Sequence, residues 1–154
     1  MTVKIIGLQK LQKKLDALPV RVKARIREAM EEGANEIVTM AKSLVPADSG
    51  TLRDSIGWTW GRAPKGAMTI GKVESTGGDL TITIYAGNSE AFYARWVEFG
   101  TAAHTAGGKF AGAAIPAVPA SPFFYVSFRA LRRRVKSRVT RATTKAAKEV
   151  AAGR

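Results

Sequence analysis

The chain has 154 residues, a formal net charge of +13, no cysteine and a single histidine. Those counts exclude disulfides, thiol chemistry and a histidine-rich metal site, and the length suits one domain with a real core. No apolar run approaches the roughly 18 residues of a membrane helix, so neither a span nor a membrane partner is expected.

The charge is uneven. Residues 1–30 carry eight Lys/Arg against two acids, 31–120 seven against nine, and 121–154 ten against one. Basic ends around a near-neutral centre favour a polyanion such as DNA. They suit a solubilising surface or an acidic neighbouring subunit equally well. The first residues, MTVKIIGLQKLQKK, lack a sustained apolar stretch and a small-residue cleavage site. No signal peptide is expected, and a cytoplasmic origin fits.

In chain order, Leu8, Leu11, Leu15 and Leu18 suggest a short amphipathic helix within an N-terminal arm, 1–19, that ends before Pro19. A long helix follows over 20–44, where Val22, Ile26, Met30, Ala34, Ile37, Ala41 and Leu44 trace one face. Such a helix is roughly 37 Å long. Pro46 disfavours helical geometry at Val45 and supplies its stop.

The middle reads as β-structure. Leu52, Ile56, Trp58 and Trp60 lie on one face of a strand over 52–60, followed by a loop at 61–66. Met68 and Ile70, extending toward Val73, mark a second strand, and 75–79 (STGGD) is a turn. Leu80, Ile82 and Ile84 alternate with Thr81, Thr83 and Tyr85 in the clearest strand. Residues 91–99 read as a short helix or a strand, and the helical spacing of Phe92, Trp96 and Phe99, which would bury three aromatics, favours the helix. Residues 101–120, rich in Ala, Gly and Pro, read as a flexible loop of about twenty residues, a length that points to disorder or a binding role.

The last helix has a strong start, with Ser121 as N-cap and Pro122 in the first position. Its stripe is Phe124, Phe128, Leu131, Val135, Val139, Ala142, Ala146 and Val150, with cations on the remaining arc. The stripe weakens to Ala after Val139, so a basic tail, 140–154, is expected to project beyond the core or to order on assembly.

Catalytic chemistry is hard to find. Residues 66–73 approach a P-loop, but Val73 stands where the magnesium-binding Ser or Thr is required, and the stretch reads as a strand. The one histidine, His104, has no carboxylate near it in sequence. Asp48, Asp54, Glu90 and Glu98 are the acids from which a magnesium-dependent nuclease centre would be built, with no acid-x-Lys element beside them. Gly50 is placed to take positive φ after Asp48 and Ser49, turning helix into sheet, and Glu98 has Arg95, Arg53 or a neighbouring subunit as candidate partners. The cations Arg129, Arg132, Arg133, Arg134, Lys136, Arg138 and Arg141 are candidates for contact with DNA or a partner. No helix-turn-helix or zinc-finger spacing accompanies them, so any DNA contact falls on the backbone.

Three phrases stand in fixed order: VPADSGTLRDSI at 45–56, YARWVEFGT at 93–101 and PASPFFYVSFRALRRR at 119–134. Together they resemble the head–tail joining, or tail-completion, proteins of lambda-like long-tailed bacteriophages, across about residues 20–140. The resemblance implies an α+β fold, a single domain over 1–154 with long terminal amphipathic helices packed on a small antiparallel sheet. It implies a homo-oligomeric ring, a hexamer, in the virion neck between the portal or head connector and the tail tube, assembled in the host cytoplasm around the DNA passage. No catalysis and no cofactor are implied. On these phrases Asp48, Gly50, Arg53, Tyr93, Trp96, Glu98, Phe99, Gly100, Phe123 and Phe124 are candidates for subunit structure and interfaces. A tail terminator or head-side stopper is the nearest alternative. A sequence-independent DNA-binding protein and a phage nuclease are the alternatives from other classes.

Overall fold

The computed structural model describes residues 20–46, 50–70 and 80–152. The helix expected within 1–19, the turn residues Asp48 and Ser49, Val73 and the turn at 75–79 lie outside the described residues.

Two long helices form the frame. Helix α1 spans Val20–Leu44 and helix α4 spans Phe124–Ala151. They pack antiparallel: Val22 and Ile26, near the start of α1, bury against Ala146 near the end of α4. Midway, Gly33 lets the helices close up, since a Cβ there would collide with Val135 Cγ1. The apolar stripe of α1 is buried at Val22, Ile26, Ala34, Ile37 and Ala41, as its spacing predicts. Its last member differs, because Leu44 is exposed and Val45, one residue beyond the helix, turns inward instead.

α4 runs further along α1 than its alanine-rich end suggests. Ala146 is fully buried, and Glu149 pairs with Arg25 of α1, so the expected projection does not begin at residue 140. Small side chains mark close helix packing here, where a two-residue apolar patch on α1 needs only a methyl group opposite.

A three-stranded antiparallel sheet lies against α1. Strands β1 (Gly57–Trp60), β2 (Met68–Ile70) and β3 (Ile82–Ala86) are ordered β1-β3-β2, with the alternating strand in the centre. The register sets Trp58 beside Ile84 and Trp60 beside Ile82, one apolar row toward the helix. The two indoles also dock on polar groups of α1: Trp58 Nε1 donates to Asn35 Oδ1 at 2.7 Å and Trp60 Nε1 to Glu31 Oε1 at 3.0 Å. Arg27 stacks 4.2 Å from the Trp60 ring centroid.

The strand expected over 52–60 is shorter, because a helical turn, α2 (Thr51–Asp54), takes its first half. Gly50 does adopt positive φ, +78°. The chain then closes a single turn, with Asp54 N donating to Gly50 O at 2.9 Å and Ser55 N to Thr51 O at 3.1 Å. The Ser55 hydroxyl donates to Leu52 O and accepts from Gly87 N, so this turn is tied to the end of β3. Leu52 and Ile56 therefore reach the core from a turn rather than from a strand face.

Candidate functional site

Helix α3 (Ala94–Phe99) forms where its spacing predicts, but it is turned the other way. Phe92, Trp96 and Phe99 are 60%, 52% and 58% exposed, while Ala91, Ala94 and Glu98 face inward. The inward face carries small residues because α3 sits tightly on the core: at Gly87 a Cβ would lie 2.8 Å from Ala91 O and 3.1 Å from the Ala94 methyl. With no room for aromatics inside, the rings lie outside. Phe92 and Trp96 meet edge to face at 5.4 Å, and Phe99 leans on Tyr125 at 5.7 Å.

Glu98 explains the orientation. Its side chain is 3% exposed, and instead of an arginine it holds the start of α4. Oε2 accepts from Phe123 N at 2.8 Å and from Phe124 N at 2.9 Å, and Oε1 accepts from Tyr125 N at 3.0 Å. These are amides that a helix N-terminus leaves without an intrahelical partner, and the positive end of the helix dipole favours the carboxylate charge. The cap expected from Ser121 is thus supplied by Glu98, and α4 begins at Phe124. Ser121 instead donates its backbone N–H to Val97 O at 2.8 Å.

Between α3 and α4 the chain makes an excursion with a fixed base. Residues 101–118 form an arm rather than the expected irregular loop. Strands β4 (His104–Thr105) and β5 (Ala114–Ile115) pair antiparallel, and a 3-10 turn, Gly108–Phe110, lies near the tip. Thr101 and Val118 exchange both backbone hydrogen bonds at the base, at 2.9 and 3.0 Å. Gly100 is required at the junction: φ is +71°, and a Cβ there would lie 2.7 Å from Val118 O. The arm is exposed along nearly its whole length, with Phe110 at its tip 74% exposed.

The basic residues of α4 divide into two groups. Arg138 pairs with Glu36 and with Glu32 of α1, and Arg134 pairs with Glu36 at 3.2 Å. The hydrogen bond from Arg138 holds the Glu36 carboxyl below the usual carboxylate range, against the opposing effect of its desolvation. Arg129, Arg132, Arg133, Lys136 and Arg141 are exposed. Arg132, Arg133 and Lys136 rim a shallow groove floored by Ile37, Phe128 and Val135.

The other sequence candidates fall as follows. Gly50 and Arg53 stand at the α2 turn with Arg53 exposed, Tyr93 is half-buried, and Phe123 and Phe124 are fully buried in the core of the subunit. Asp48 lies outside the described residues. Asp54 and Glu90 are exposed, Glu98 is committed to the helix cap, and the described residues contain no group of three His, Asp or Glu side chains arranged to hold a metal ion. Among the described residues no helix is long and apolar enough to cross a membrane. Sequence reasoning misses the Glu98 cap, whose amide partners lie 25 to 27 residues away with no local motif to mark them.

No curated protein and no solved structure matches the chain. The family model described as "Bacteriophage HK97-gp10, putative tail-component" matches residues 9–100, which include α1, the sheet and α3. That is more than half of the chain, which therefore belongs to the HK97-gp10-like family of bacteriophage tail components.

Proposed function

We propose that the protein is a structural, non-enzymatic virion component of the phage neck, completing the tail by joining it to the capsid portal or head connector. It acts as an oligomeric ring, a hexamer, around the DNA passage. The observation that carries this reading is the aromatic face of α3, where three large apolar side chains of a phage tail component stand more than half exposed. Such a face belongs to assembly. The three sequence phrases, through the resemblance they carry, support the neck position, and a tail terminator or a head-side stopper is the closest competing position. The exposed cations Arg129, Arg132, Arg133 and Lys136 give α4 a surface suited to DNA phosphates in the passage or to an acidic partner ring.

Light scattering at low and high salt, followed by negative-stain imaging, tests the proposal. A ring of about six subunits with a central hole is the expected result. A chain that stays monomeric and also fails to bind both portal and tail tube overturns it. A second reading, sequence-independent DNA binding, rests on the same exposed cations. It predicts duplex binding by the monomer that weakens steeply with salt.

A further inference from the structure

The arm tip and the aromatic face of α3 both leave large apolar side chains exposed. Phe110 at the arm tip is 74% exposed while Phe92, Trp96 and Phe99 are 52–60% exposed, so neither apolar group covers the other. Both are mounted on one platform. Glu98 fixes α3 to the start of α4, and the Thr101–Val118 pair closes the base of the arm directly after α3.

A two-stranded hairpin is marginal in water by itself and gains stability from a surface to lie on. The composition of this one indicates what kind of surface. Residues 101–120 contain no acid, and His104 and Lys109 are their only basic side chains. The remainder is largely Ala, Gly, Pro and Thr around Phe110, Ile115 and Val118. Small side chains let a backbone approach flat rings closely, and so little charge suits neither a phosphate backbone nor an acidic protein.

We propose that the arm of one copy lies against the aromatic face of α3 on a second copy of this chain, head to tail. Each chain carries one arm and one face, so all are satisfied together only when every arm meets the next copy's face. A heterologous contact of that kind closes into a ring or runs on as a filament. The proposal rests on the reading of the protein as an oligomer and says which surfaces join.

Two variants of the full chain, Phe110→Ser in the arm and Trp96→Ser in the face, test it by sedimentation velocity. Each alone is expected at the monomer mass, and an equimolar mixture is expected to form a one-to-one dimer, because one intact arm and one intact face remain. Circular dichroism checks that both stay folded. Because the natural chain has no cysteine, Phe110→Cys and Phe92→Cys give a second readout with no background. Mixed and treated with a short bismaleimide, differently tagged copies of the two should cross-link to each other in preference to themselves.

A mixture that stays monomeric, or wild-type chains that show no self-association, overturns the contact. Variants that both keep a wild-type ring overturn the contact and leave the neck reading standing. One-to-one dimers from the mixture, together with open chains rather than closed rings from wild type, keep the contact and overturn the ring.

Discussion

The described residues contain two antiparallel β pieces, and they differ in what lies beneath them. In β1-β3-β2, apolar residues recur at every second position and Trp58, Trp60, Ile82 and Ile84 rest on α1. In the arm, β4 and β5 pair just as regularly, but most side chains on both limbs are exposed. Hydrogen-bond pairing is therefore common to both, and burial belongs to one. A sheet with a helix beneath it is stable scaffold. Among the described residues the ribbon is closed at its base by the Thr101–Val118 pair and leaves most of its surface exposed.

The largest effect should come from cutting the link between α3, which leads into the arm, and α4 of the scaffold. Glu98→Ala leaves three amides at the start of α4 without an acceptor in a buried site, and each such loss costs about 1–3 kcal/mol. Urea unfolding should show a loss of about 4 kcal/mol, allowing for partial rescue by water. A change below about 1 kcal/mol would mean that α4 is capped in another way. The next effect compares one residue type in the two settings. Ile84→Ala in the central strand should cost about 3 kcal/mol through the cavity it leaves. Ile115→Ala in the arm, where the side chain is half-buried but joins no core cluster, should cost less than about 1 kcal/mol. Equal losses at both sites would show that the arm shares the core's stability and is no separate element.

How much of this the sequence contains depends on whether local pattern or distant partners decide the outcome. α1 is legible in its bounds, because Pro46 and the apolar stripe are local signals, although the stripe's last member, Leu44, is exposed. The central strand is legible for the same reason, since its alternation is local. α3 is legible as a helix and misleading as to its face: periodicity places Phe92, Trp96 and Phe99 together, and the usual expectation buries them. The Ala94 methyl against Gly87 and the buried carboxylate of Glu98 decide otherwise. The start of α4 fails likewise, because Ser121-Pro122 is a sound local signal overridden by an acceptor from another helix. Of the candidate site, the exposed cations and the importance of the YARWVEFGT phrase are readable. That α3 turns its rings outward beside an arm is not, since that depends on contacts distant in sequence.

Gly33 sharpens the comparison from the scaffold side, where close packing leaves no latitude. Gly33→Leu must displace Val135, whose Cγ1 stands where a side chain on residue 33 would have to begin. Overpacking of this kind costs about 2 kcal/mol even after the gain in helix propensity. Adding Val135→Ala should recover part of the loss, and a double-mutant cycle measures the coupling. The same enlargement at Gly107 in the arm, where a Cβ meets nothing within 4 Å, should leave the unfolding midpoint unchanged.

The smallest effect concerns charge on the scaffold. Glu36 lies between Arg134 and Arg138, and the Arg138 hydrogen bond is the main reason its carboxyl stays below the usual range. A group whose pKa is lowered on folding adds stability above its unfolded value, about 4.3 for Glu, and loses it as pH falls through the folded value. Glu36→Gln should therefore be less stable than wild type at neutral pH, by a modest amount because the pair lies near the surface. The two unfolding curves should converge as the pH is taken below that range. A gap that persists unchanged into acid would assign the difference to packing of the side chain rather than to its charge. The arm offers no parallel: residues 101–120 contain no acid, so a variant there removes no carboxylate pair of this kind. Scaffold and arm thus differ in charge pairing as they differ in burial, and for one reason. Among the described residues, the scaffold sets a second element against its charges, as α4 does for Glu36, while the arm is exposed along nearly its whole length.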